Sequence, residues 1–512
     1  MADLLSDFPQ LETARQLWRR GERDAALAAF DQALVAQPGN VRAMVEAASA
    51  FGQAFQVERA EALLAHAERL AGHDPRVLAA VAESYRVVYR PARALDCWLR
   101  LQASAGLAPQ QWAVLAVLYE QMGDFAAATA AIEACVAAAP RQAEPRLIEA
   151  RLARRRGDLV RAETLLGALA SPQAPPLLAT RAWSELGLVR DQQGDYAGAA
   201  EAAERAKEIQ RTQPQTARLV AQSQRLNAAF ERLYAGLDRA HIDAWRGAKL
   251  PPVPDCGGFA HLLGFPRTGT TLLEQVLAAH PGMVDAPERP VFTQDIFPRM
   301  CRTSSGPPLS LASFDGMPES DLVRLRERYA VAHQSIQGEP LAGRSLLDKN
   351  PNHTAHMASL LRLLPESRFV VALRDPRDVV VSAYLRFFSL TEFSAGFLTW
   401  RSTCEAYARE MGFWLQVRRL MEGNWLEVRY EDVVADLPGQ AQRTVEFLGL
   451  SWAAEVLEYR RQTERKLVNS PSQAEVRQPV YRHAVGRWQR YAAQLAPHLA
   501  ALRPYLEAFG YQ

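Results

Sequence analysis

The first half of this 512-residue chain repeats itself every 34 residues. Five alanines keep this spacing, and a large apolar side chain follows four residues after each of them. A further apolar side chain follows three residues later, so the pattern marks one face of a helix. Each unit can bury that face only against its neighbours, so the period predicts a solenoid of stacked helix pairs. The alanines are Ala26, Ala60, Ala94, Ala128 and Ala162.

Short turn signals separate the predicted helices. In each of them a glycine, which tolerates the left-handed conformation that ends a helix, precedes an acid that starts the next helix. A sixth unit follows at a spacing of 37, around Ala199. These units resemble the tetratricopeptide repeat, which implies a concave surface that binds a peptide or a partner protein. The turns are Gly21-Glu22, Gly123-Asp124, Gly157-Asp158 and Gly194-Asp195.

A basic run, Arg154-Arg155-Arg156, lies inside this repeat region. We expect it on a solvated face, with contact to an acidic peptide as the alternative. The formal net charge of the whole chain is +2, which gives no support to nucleic-acid binding. The chain has five scattered cysteines without metal-ligand spacing and no apolar run long enough to span a membrane. A cytoplasmic location is therefore expected.

A glycine-rich turn opens the chemistry of the second half. It follows the apolar run 259–263 and leads into an amphipathic segment, which predicts a strand, a turn and a helix. Backbone N–H groups at such a helix start bind phosphate or sulfate. Thr270 stands where a nucleoside triphosphatase has its lysine, so that class of enzyme is disfavoured. The turn consists of Gly264, Phe265, Pro266, Arg267, Thr268, Gly269, Thr270 and Thr271.

Apolar strands alternate with helices from residue 257 onward, which predicts an α/β sheet. The predicted strands are 259–264, 345–348, 368–373 and 425–429. The third of these strands ends in Arg374, and Ser382 follows about two helical turns later. Open α/β sheets bind ligands at the carboxyl ends of their strands, so we expect a second anion site there.

The two turns together resemble those of the sulfotransferase family, whose donor is 3′-phosphoadenosine 5′-phosphosulfate (PAPS) and whose nucleotide product is 3′-phosphoadenosine 5′-phosphate (PAP). The resemblance implies that the first turn, from Pro266 to Thr271, holds the 5′-phosphosulfate, and that Arg374 and Ser382 hold the 3′-phosphate. Three further motifs follow the first turn, namely Pro287-Glu288-Arg289, Leu347-Asp348-Lys349-Asn350-Pro351 and Val428-Arg429-Tyr430-Glu431-Asp432. With these motifs the chain is similar, within the family, to tyrosylprotein sulfotransferases. That similarity implies further donor contacts at Tyr430, Ser472 and Arg487.

The same similarity implies a catalytic group. Sulfuryl transfer to a phenol, whose pKa is about 10, needs a base, and Glu288 is the candidate. His353 competes with it, because other members of the family use a histidine shortly after a lysine such as Lys349. Arg267 and Lys349 are expected to neutralise charge on the sulfuryl oxygens and on the leaving phosphate. No carboxylate cluster indicates a metal, so none is expected.

The predicted fold is an all-α tetratricopeptide-type solenoid (residues 1–235), a capping helix and proline-rich linker (236–256), and an α/β, P-loop-like sulfotransferase domain with a central, mainly parallel sheet (257–512). The predicted function is PAPS-dependent sulfuryl transfer to a hydroxyl, with a peptide tyrosine as the favoured acceptor and the array recruiting substrate or partner. One alternative is transfer to a sugar, lipid or small-molecule hydroxyl. Another is a repeat scaffold whose nucleotide-binding domain has no activity.

Overall fold

The computed structural model describes residues 6–72, 74–301, 309–460 and 484–512. Within the repeat region it contains six antiparallel helix pairs, which confirms the predicted solenoid of stacked helix pairs. The pairs are α1 (Pro9–Arg19) with α2 (Arg23–Ala36), α3 (Val41–Gln53) with α4 (Val57–Ala71), α5 (Pro75–Val87) with α6 (Pro91–Ala105), α7 (Pro109–Met122) with α8 (Phe125–Ala138), α9 (Ala143–Arg155) with α10 (Leu159–Leu169), and α11 (Pro176–Gln193) with α12 (Tyr196–Arg211).

The alanines with the 34-residue period lie in the second helix of each of the first five pairs. All five are fully buried, because a methyl group is small enough to let two helices approach closely. The predicted turn chemistry also holds for three pairs. Asp124, Asp158 and Asp195 each accept a hydrogen bond from a backbone N–H in the first turn of the second helix. Glu22 makes no such bond, since preferred capping side chains are the shorter Asp, Asn, Ser and Thr.

Two further helices, α13 (Thr216–Gly236) and α14 (Arg239–Gly247), follow the solenoid. Phe230 and Tyr234 of α13 lie in the same apolar cluster as the central sheet. The ring of Tyr234 stacks on Phe413 with their centroids 4.3 Å apart, and its hydroxyl donates to the carbonyl of Ala355 at 3.1 Å. The boundary predicted at residue 235 therefore does not coincide with a gap in packing.

The second half contains a five-stranded parallel sheet in the order β2-β3-β1-β4-β5. Four of the strands match the prediction, whereas β2, which carries a central aspartate and ends in a proline, was not predicted. The register sets Leu262 of β1 beside Lys349 and Gly264 beside Ala372. The turn after β1 therefore lies between the ends of β3 and β4. The strands are β1 (Gly258–Gly264), β2 (Met283–Pro287), β3 (Ser345–Lys349), β4 (Arg368–Leu373) and β5 (Trp425–Arg429).

Helices cover both faces of the sheet. One face packs against the helices that follow β1 and β5, and the other packs against α13, α14 and the long helices of the second half. This arrangement confirms the predicted α/β fold with a parallel sheet. The helices are α15 (Thr270–Leu277), α16 (Phe297–Met300), α17 (Leu311–Asp315), α18 (Glu319–Gln337), α19 (Met357–Leu363), α20 (Pro376–Leu385), α21 (Trp400–Leu420), α22 (Tyr430–Ala435), α23 (Leu437–Phe447), α24 (Ala492–Leu495) and α25 (Arg503–Ala508), with short 3₁₀ turns at Pro351–His356, Ser394–Phe397, Ala454–Glu458, Arg487–Tyr491 and Ala496–Ala501 and a π turn at Phe292–Ile296.

The solenoid also packs on the second half through its early units. Arg90 donates to the carbonyls of Ser335 and Ile336 at the end of α18. Asp24 of the first unit pairs with Arg299 at 2.7 Å. In the part of the chain that the structure describes, no helix is both long enough and apolar enough to cross a membrane.

Candidate active site

The predicted site residues that the structure describes, other than Ser382, His353 and Arg487, lie at the carboxyl ends of the five strands. Because all strands are parallel, these ends meet at one edge of the sheet. The turn 264–269 follows β1, Glu288 follows β2, Lys349 ends β3, Arg374 follows β4 and Tyr430 follows β5.

The conformation of the turn after β1 is fixed by one hydrogen bond within the turn and by another from Thr354. The hydroxyl of Thr268 donates to the carbonyl of Phe265 at 2.8 Å, and the hydroxyl of Thr354 donates to the carbonyl of Gly264 at 2.6 Å. Gly269, with φ +94°, precedes α15 and has no side chain with which to cap this helix. The helix start is therefore arranged to receive an anion with its backbone N–H groups.

The turn after β4 is joined to the first turn by two arginines. Arg374 donates from Nη1 to the carbonyl of Arg267 at 3.2 Å, and Arg267 donates from Nε to the hydroxyl of Ser382 at 3.1 Å. Arg374 is buried, and its Nε has no hydrogen-bond partner among the described residues. A buried donor of this kind needs a partner, and a phosphate oxygen is a suitable one.

Tyr430 lies between these two turns. The guanidinium carbon of Arg374 lies 5.1 Å from the centre of its ring. A Cβ atom on Gly269 would come within 2.6 Å of the same ring, so only glycine fits at that position. The aromatic ring thus contacts both turns, where the similarity to tyrosylprotein sulfotransferases predicts a donor contact.

Lys349 ends β3 as the centre of an ion-pair cluster with two glutamates. Its Nζ lies 2.7 Å from the carboxylate of Glu288 and 3.0 Å from that of Glu274 on α15. The Lys349 side chain is fully buried and that of Glu274 is 1% exposed, whereas that of Glu288 is 32% exposed. Of the two carboxylates, Glu288 is therefore the one that an incoming molecule can reach.

Burial and charge act in opposite directions on this cluster. Burial disfavours the charged form of Lys349, but the two neighbouring carboxylates outweigh it and raise the pKa of the ammonium. Burial raises the pKa of Glu274 to about 7, against the opposing effect of the Lys349 ammonium. The lysine therefore stays positively charged at neutral pH, while Glu274 exchanges its proton near that pH.

Backbone strain marks two of the predicted catalytic residues. Glu288 has a φ of +46° and Arg267 a φ of +78°, a region that side chains other than glycine rarely adopt. The N–H of Glu288 donates to the carbonyl of Lys349 at 2.8 Å, which fixes the strained residue at the strand end. Strain of this kind costs about 1–3 kcal/mol per residue and is concentrated at functional sites.

The alternative base, His353, lies on the other side of the sheet from Lys349. Its Nδ1 is 3.5 Å from the carboxylate of Asp348, and successive strand residues point to opposite faces. His353 is fully buried and packs against the ring of Phe292. Burial holds its pKa well below the ordinary value. The structure therefore brings Glu288, and not His353, to Lys349.

Two donor contacts were predicted near the C-terminus, at Ser472 and at Arg487. Ser472 lies outside the described residues. Arg487 forms an ion pair with Asp191 of the solenoid, 2.9 Å from Nη2 to the carboxylate. Its contact with the donor stays a prediction.

Sequence reasoning missed several residues of the site. Glu274 carried a usable signal, because an acid on the apolar face of a helix must be paired when buried. Thr354 carried none, since its hydrogen bond to Gly264 joins segments that are distant in sequence. The basic run was also misjudged, because Arg154 pairs with Glu185 and Arg155 with Glu120 instead of facing solvent.

One group of potential metal ligands occurs among the described residues, and it lies in the solenoid. Glu68, Asp96 and Cys97 have their ligand atoms close together, but Glu68 also pairs with Arg93 and Arg100. The group is far in sequence from the strand ends described above.

Comparison with protein families identifies both halves of the chain. Residues 261–454 match the model of the sulfotransferase family. Residues 11–75 and 147–214 match one model of the tetratricopeptide repeat, and residues 112–142 match another. These matches confirm the repeat array and the sulfotransferase domain that the motifs predicted.

Related proteins match between 24% and 54% of this chain. Protein-tyrosine sulfotransferase 2 of Gallus gallus is 24% identical over 291 residues, which are 54% of this chain and 73% of that protein. A protein of Aquifex aeolicus (strain VF5) is 26% identical over 252 residues, which are 47% of this chain and 32% of that protein. The nodulation protein NoeE of Sinorhizobium fredii is 31% identical over 125 residues, 24% of this chain and 30% of that protein.

Solved structures similar to the chain include a sulfotransferase domain and a tetratricopeptide-repeat protein. The sulfotransferase domain of the Synechococcus PCC 7002 olefin synthase is 18% identical, covering 52% of this chain and 98% of that one, with a TM-score of 0.37. The tetratricopeptide-repeat protein YrrB is 17% identical, covering 36% of this chain and 93% of that one, with a TM-score of 0.29.

Proposed function

We propose that this chain, a tetratricopeptide-repeat array joined to a domain of the sulfotransferase family, transfers a sulfuryl group from PAPS to an acceptor hydroxyl, with a peptide tyrosine as the favoured acceptor. One observation carries the proposal. Two anion-binding turns and the Lys349–Glu288 ion pair lie together at one edge of a parallel sheet. A nucleotide with phosphates at both ends and a reactive group at one of them fits such an edge.

The donor-binding residues divide between the two turns. The N–H groups and hydroxyls of Thr270 and Thr271, at the start of α15, bind the 5′-phosphosulfate. Arg374 and Ser382 bind the 3′-phosphate, and the unpartnered Nε of Arg374 supports this assignment. The ring of Tyr430 separates the two sites and offers an apolar surface to the nucleotide.

The donor supplies a sulfuryl group and a phosphate leaving group, and the transfer is an in-line displacement. Glu288 accepts the proton of the acceptor hydroxyl as the new O–S bond forms. Its partial exposure suits this role, and its contact with Lys349 fixes the position of the carboxylate. The Lys349 ammonium and the Arg267 guanidinium neutralise negative charge that develops on the sulfuryl oxygens and on the leaving phosphate.

Tyrosine is the favoured acceptor for two reasons. The curated relatives include several protein-tyrosine sulfotransferases that match about half of this chain. A phenol is also acidic enough for a carboxylate base to assist its deprotonation during transfer. A sugar, lipid or small-molecule hydroxyl is the alternative acceptor, with the array serving for docking.

We further propose that the array recruits the acceptor protein through one face. Arg151, Arg154 and Arg155 of α9 and Arg181 of α11 outnumber the glutamates that pair with them, Glu120 and Glu185. Burial and repulsion from Arg151 lower the pKa of Arg181, although Glu185, Glu120 and Glu144 act in the opposite direction. An acidic segment of a substrate would add negative charge beside these arginines.

Calorimetry with PAP separates an enzyme from a scaffold. We expect PAP to bind the full-length protein with a dissociation constant in the micromolar range or below, and absence of binding would contradict every form of the proposal. Transfer of labelled sulfate from PAPS onto tyrosine peptides, compared with glycans and small phenols, then identifies the acceptor. Turnover on glycans alone would overturn the tyrosine assignment and leave the sulfotransferase activity standing.

A further inference from the structure

The C-terminal segment 484–491 is attached to the second anion-binding turn. The carboxylate of Asp378, in the first turn of α20, accepts the N–H groups of Gly486 at 2.8 Å and of Trp488 at 2.7 Å. Arg374 donates from Nη2 to the carbonyl of Ala484. The ring of Trp488 packs 3.9 Å from the guanidinium carbon of Arg377, so side chains also hold the segment in place.

The same segment is attached to the repeat array through one carboxylate. Asp191, near the end of α11, lies 2.9 Å from Nη2 of Arg487 and also accepts from its Nε at 3.3 Å. The hydroxyl of Tyr491 donates to the same carboxylate at 2.5 Å. Asp191 and Arg487 are each 15% exposed, so little water competes for these bonds. The sixth repeat unit thus holds the far end of the segment.

Segment 484–491 and Arg374 both lie beside Asp378, so the position of the segment affects which acceptor Arg374 contacts. Asp378 is fully buried, and its carboxylate lies 3.7 Å from Nη2 of Arg374. With the segment in place, two backbone N–H groups compensate the Asp378 charge. Without them, the buried carboxylate would turn to Arg374 as its nearest cation, because an uncompensated buried charge is costly. Asp378 would then compete directly with a bound phosphate.

We propose that Asp191, a residue of the repeat array, is a positioning residue of the donor site. It holds segment 484–491 against Asp378 and thereby keeps Arg374 in place, with Nη1 and Nη2 on the carbonyls of Arg267 and Ala484 and its Nε left for the 3′-phosphate. This inference rests on the proposed function, and it gives the sixth repeat unit a part in donor binding that requires no recruited partner. The array would then be necessary for the nucleotide site as well as for the choice of acceptor.

The test compares Asp191→Asn with a control at a second, more exposed ion pair between the array and the second half, in the full-length protein. Asp24→Asn removes a carboxylate that also pairs with an arginine of the sulfotransferase domain, Arg299, but at the opposite end of the array. We expect Asp191→Asn to weaken PAP binding in calorimetry about tenfold and Asp24→Asn to leave it within about twofold. Tyr491→Phe removes one hydrogen bond and is expected to weaken binding about threefold.

Two further readouts separate positioning from a general loss of structure. In Asp191→Asn, amide hydrogen exchange should accelerate at Gly486 and Trp488 while the strands keep their protection. The KM for PAPS should rise about tenfold with kcat changed less than twofold. Equal losses of melting temperature and PAP affinity in Asp191→Asn and Asp24→Asn would overturn the inference.

The outcomes distinguish the inference from the proposed function. If the wild-type protein binds PAP and both Asp191→Asn and Tyr491→Phe bind it equally well, the inference is wrong and the sulfotransferase proposal stands. If the wild-type protein does not bind PAP, both are wrong. Selective weakening in the two variants, with faster exchange at Gly486 and Trp488, supports the inference.

Discussion

At the scale of single residues, the site depends on a few residues whose burial or backbone conformation is energetically unfavourable. Lys349 is a fully buried cation between two carboxylates, and Glu288 is held in a left-handed backbone conformation. Arg374 is buried with one unpaired donor among the described residues. Proteins keep such residues where they are needed for binding or chemistry.

We expect Glu288→Gln to lower kcat about 10²- to 10⁴-fold, because the amide cannot accept the proton of the acceptor. PAP affinity should change little, since Glu288 is not part of either anion-binding turn. Steady-state kinetics together with calorimetry check this. Glu327→Gln, which changes an exposed glutamate of α18, serves as the control. Full activity of Glu288→Gln combined with an inactive His353→Asn would move the base to His353.

Arg374→Ala should weaken PAP binding about 10- to 100-fold, because a charge-assisted contact to a phosphate is lost and Asp378 is left buried without its nearby cation. Arg401→Ala, on the exposed surface of α21, should leave the affinity unchanged. Calorimetry measures both. An Arg374→Ala protein that binds PAP like the wild type would remove the second turn from the donor site.

The sequence predicted the residues that lie within local motifs, namely the turn after β1, Arg374 and Ser382. It could not predict Glu274 as the partner of Lys349, because α15 and β3 meet only in the folded sheet. The ion-pair partner of Arg487 could not be predicted from the sequence either. A basic residue in a basic region gives no indication that its partner is Asp191, almost three hundred residues earlier.

At the scale of elements, the strand order places the site. β1 lies between β3 and β4, so the turns that follow β1 and β4 become neighbours although more than a hundred residues separate them. The apolar runs predicted four strands, because buried parallel strands are apolar nearly throughout. They missed β2, whose five residues include Asp285 and Pro287.

The turn after β1 can be tested with a pair of glycines. Gly269→Ala should weaken PAP binding at least about tenfold, because its φ is +94° and the new Cβ would clash with Tyr430. Gly423→Ala has a φ of +68° but open space around it. It should lose about 1–2 kcal/mol of unfolding free energy from strain and bind PAP normally. Calorimetry and urea unfolding measure the two effects, and equal PAP affinities would contradict the predicted clash.

At the scale of the whole molecule, the helices α13 and α14, which follow the array, share one core with the sulfotransferase domain. Phe230, Tyr234 and Trp245, which precede the predicted boundary at residue 257, pack in the cluster of the sheet. Removing a large aromatic core side chain costs about 3–5 kcal/mol. Loss of all three is therefore comparable to the total stability of a domain, about 5–15 kcal/mol.

We therefore expect the fragment 257–512 to fail to fold, whereas the fragment 216–512, which keeps α13 and α14, gives a cooperative thermal transition. Circular dichroism and size-exclusion chromatography check both fragments. If the two fragments melt at the same temperature, the packing of these aromatic side chains contributes little to stability.

The pH dependence of stability also belongs to this scale. Burial lowers the pKa of His261, His333 and His356 to about 3, so each contributes stability that is lost as pH falls from about 6.5 to 3. Burial also holds the pKa of His353 well below its ordinary value, so His353 acts in the same direction. Burial raises the pKa of Glu274, Asp348 and Glu410 to about 7 and also raises that of Asp378, so these carboxyls act in the opposite direction between pH 7 and about 4. We expect urea unfolding to give a nearly constant free energy between pH 7 and 4 and a steep loss below pH 4. A steady fall from pH 6.5 would show that the carboxyls do not offset the histidines.

The central claim is that two turns at one edge of the sheet hold the two ends of a single nucleotide beside Glu288 and Lys349. A crystal structure of the full-length protein with PAP tests it most directly. The claim predicts the 5′-phosphate at the start of α15 and the 3′-phosphate within hydrogen-bond distance of Arg374 and Ser382. A nucleotide bound elsewhere, or with its 3′-phosphate away from Arg374, would contradict it.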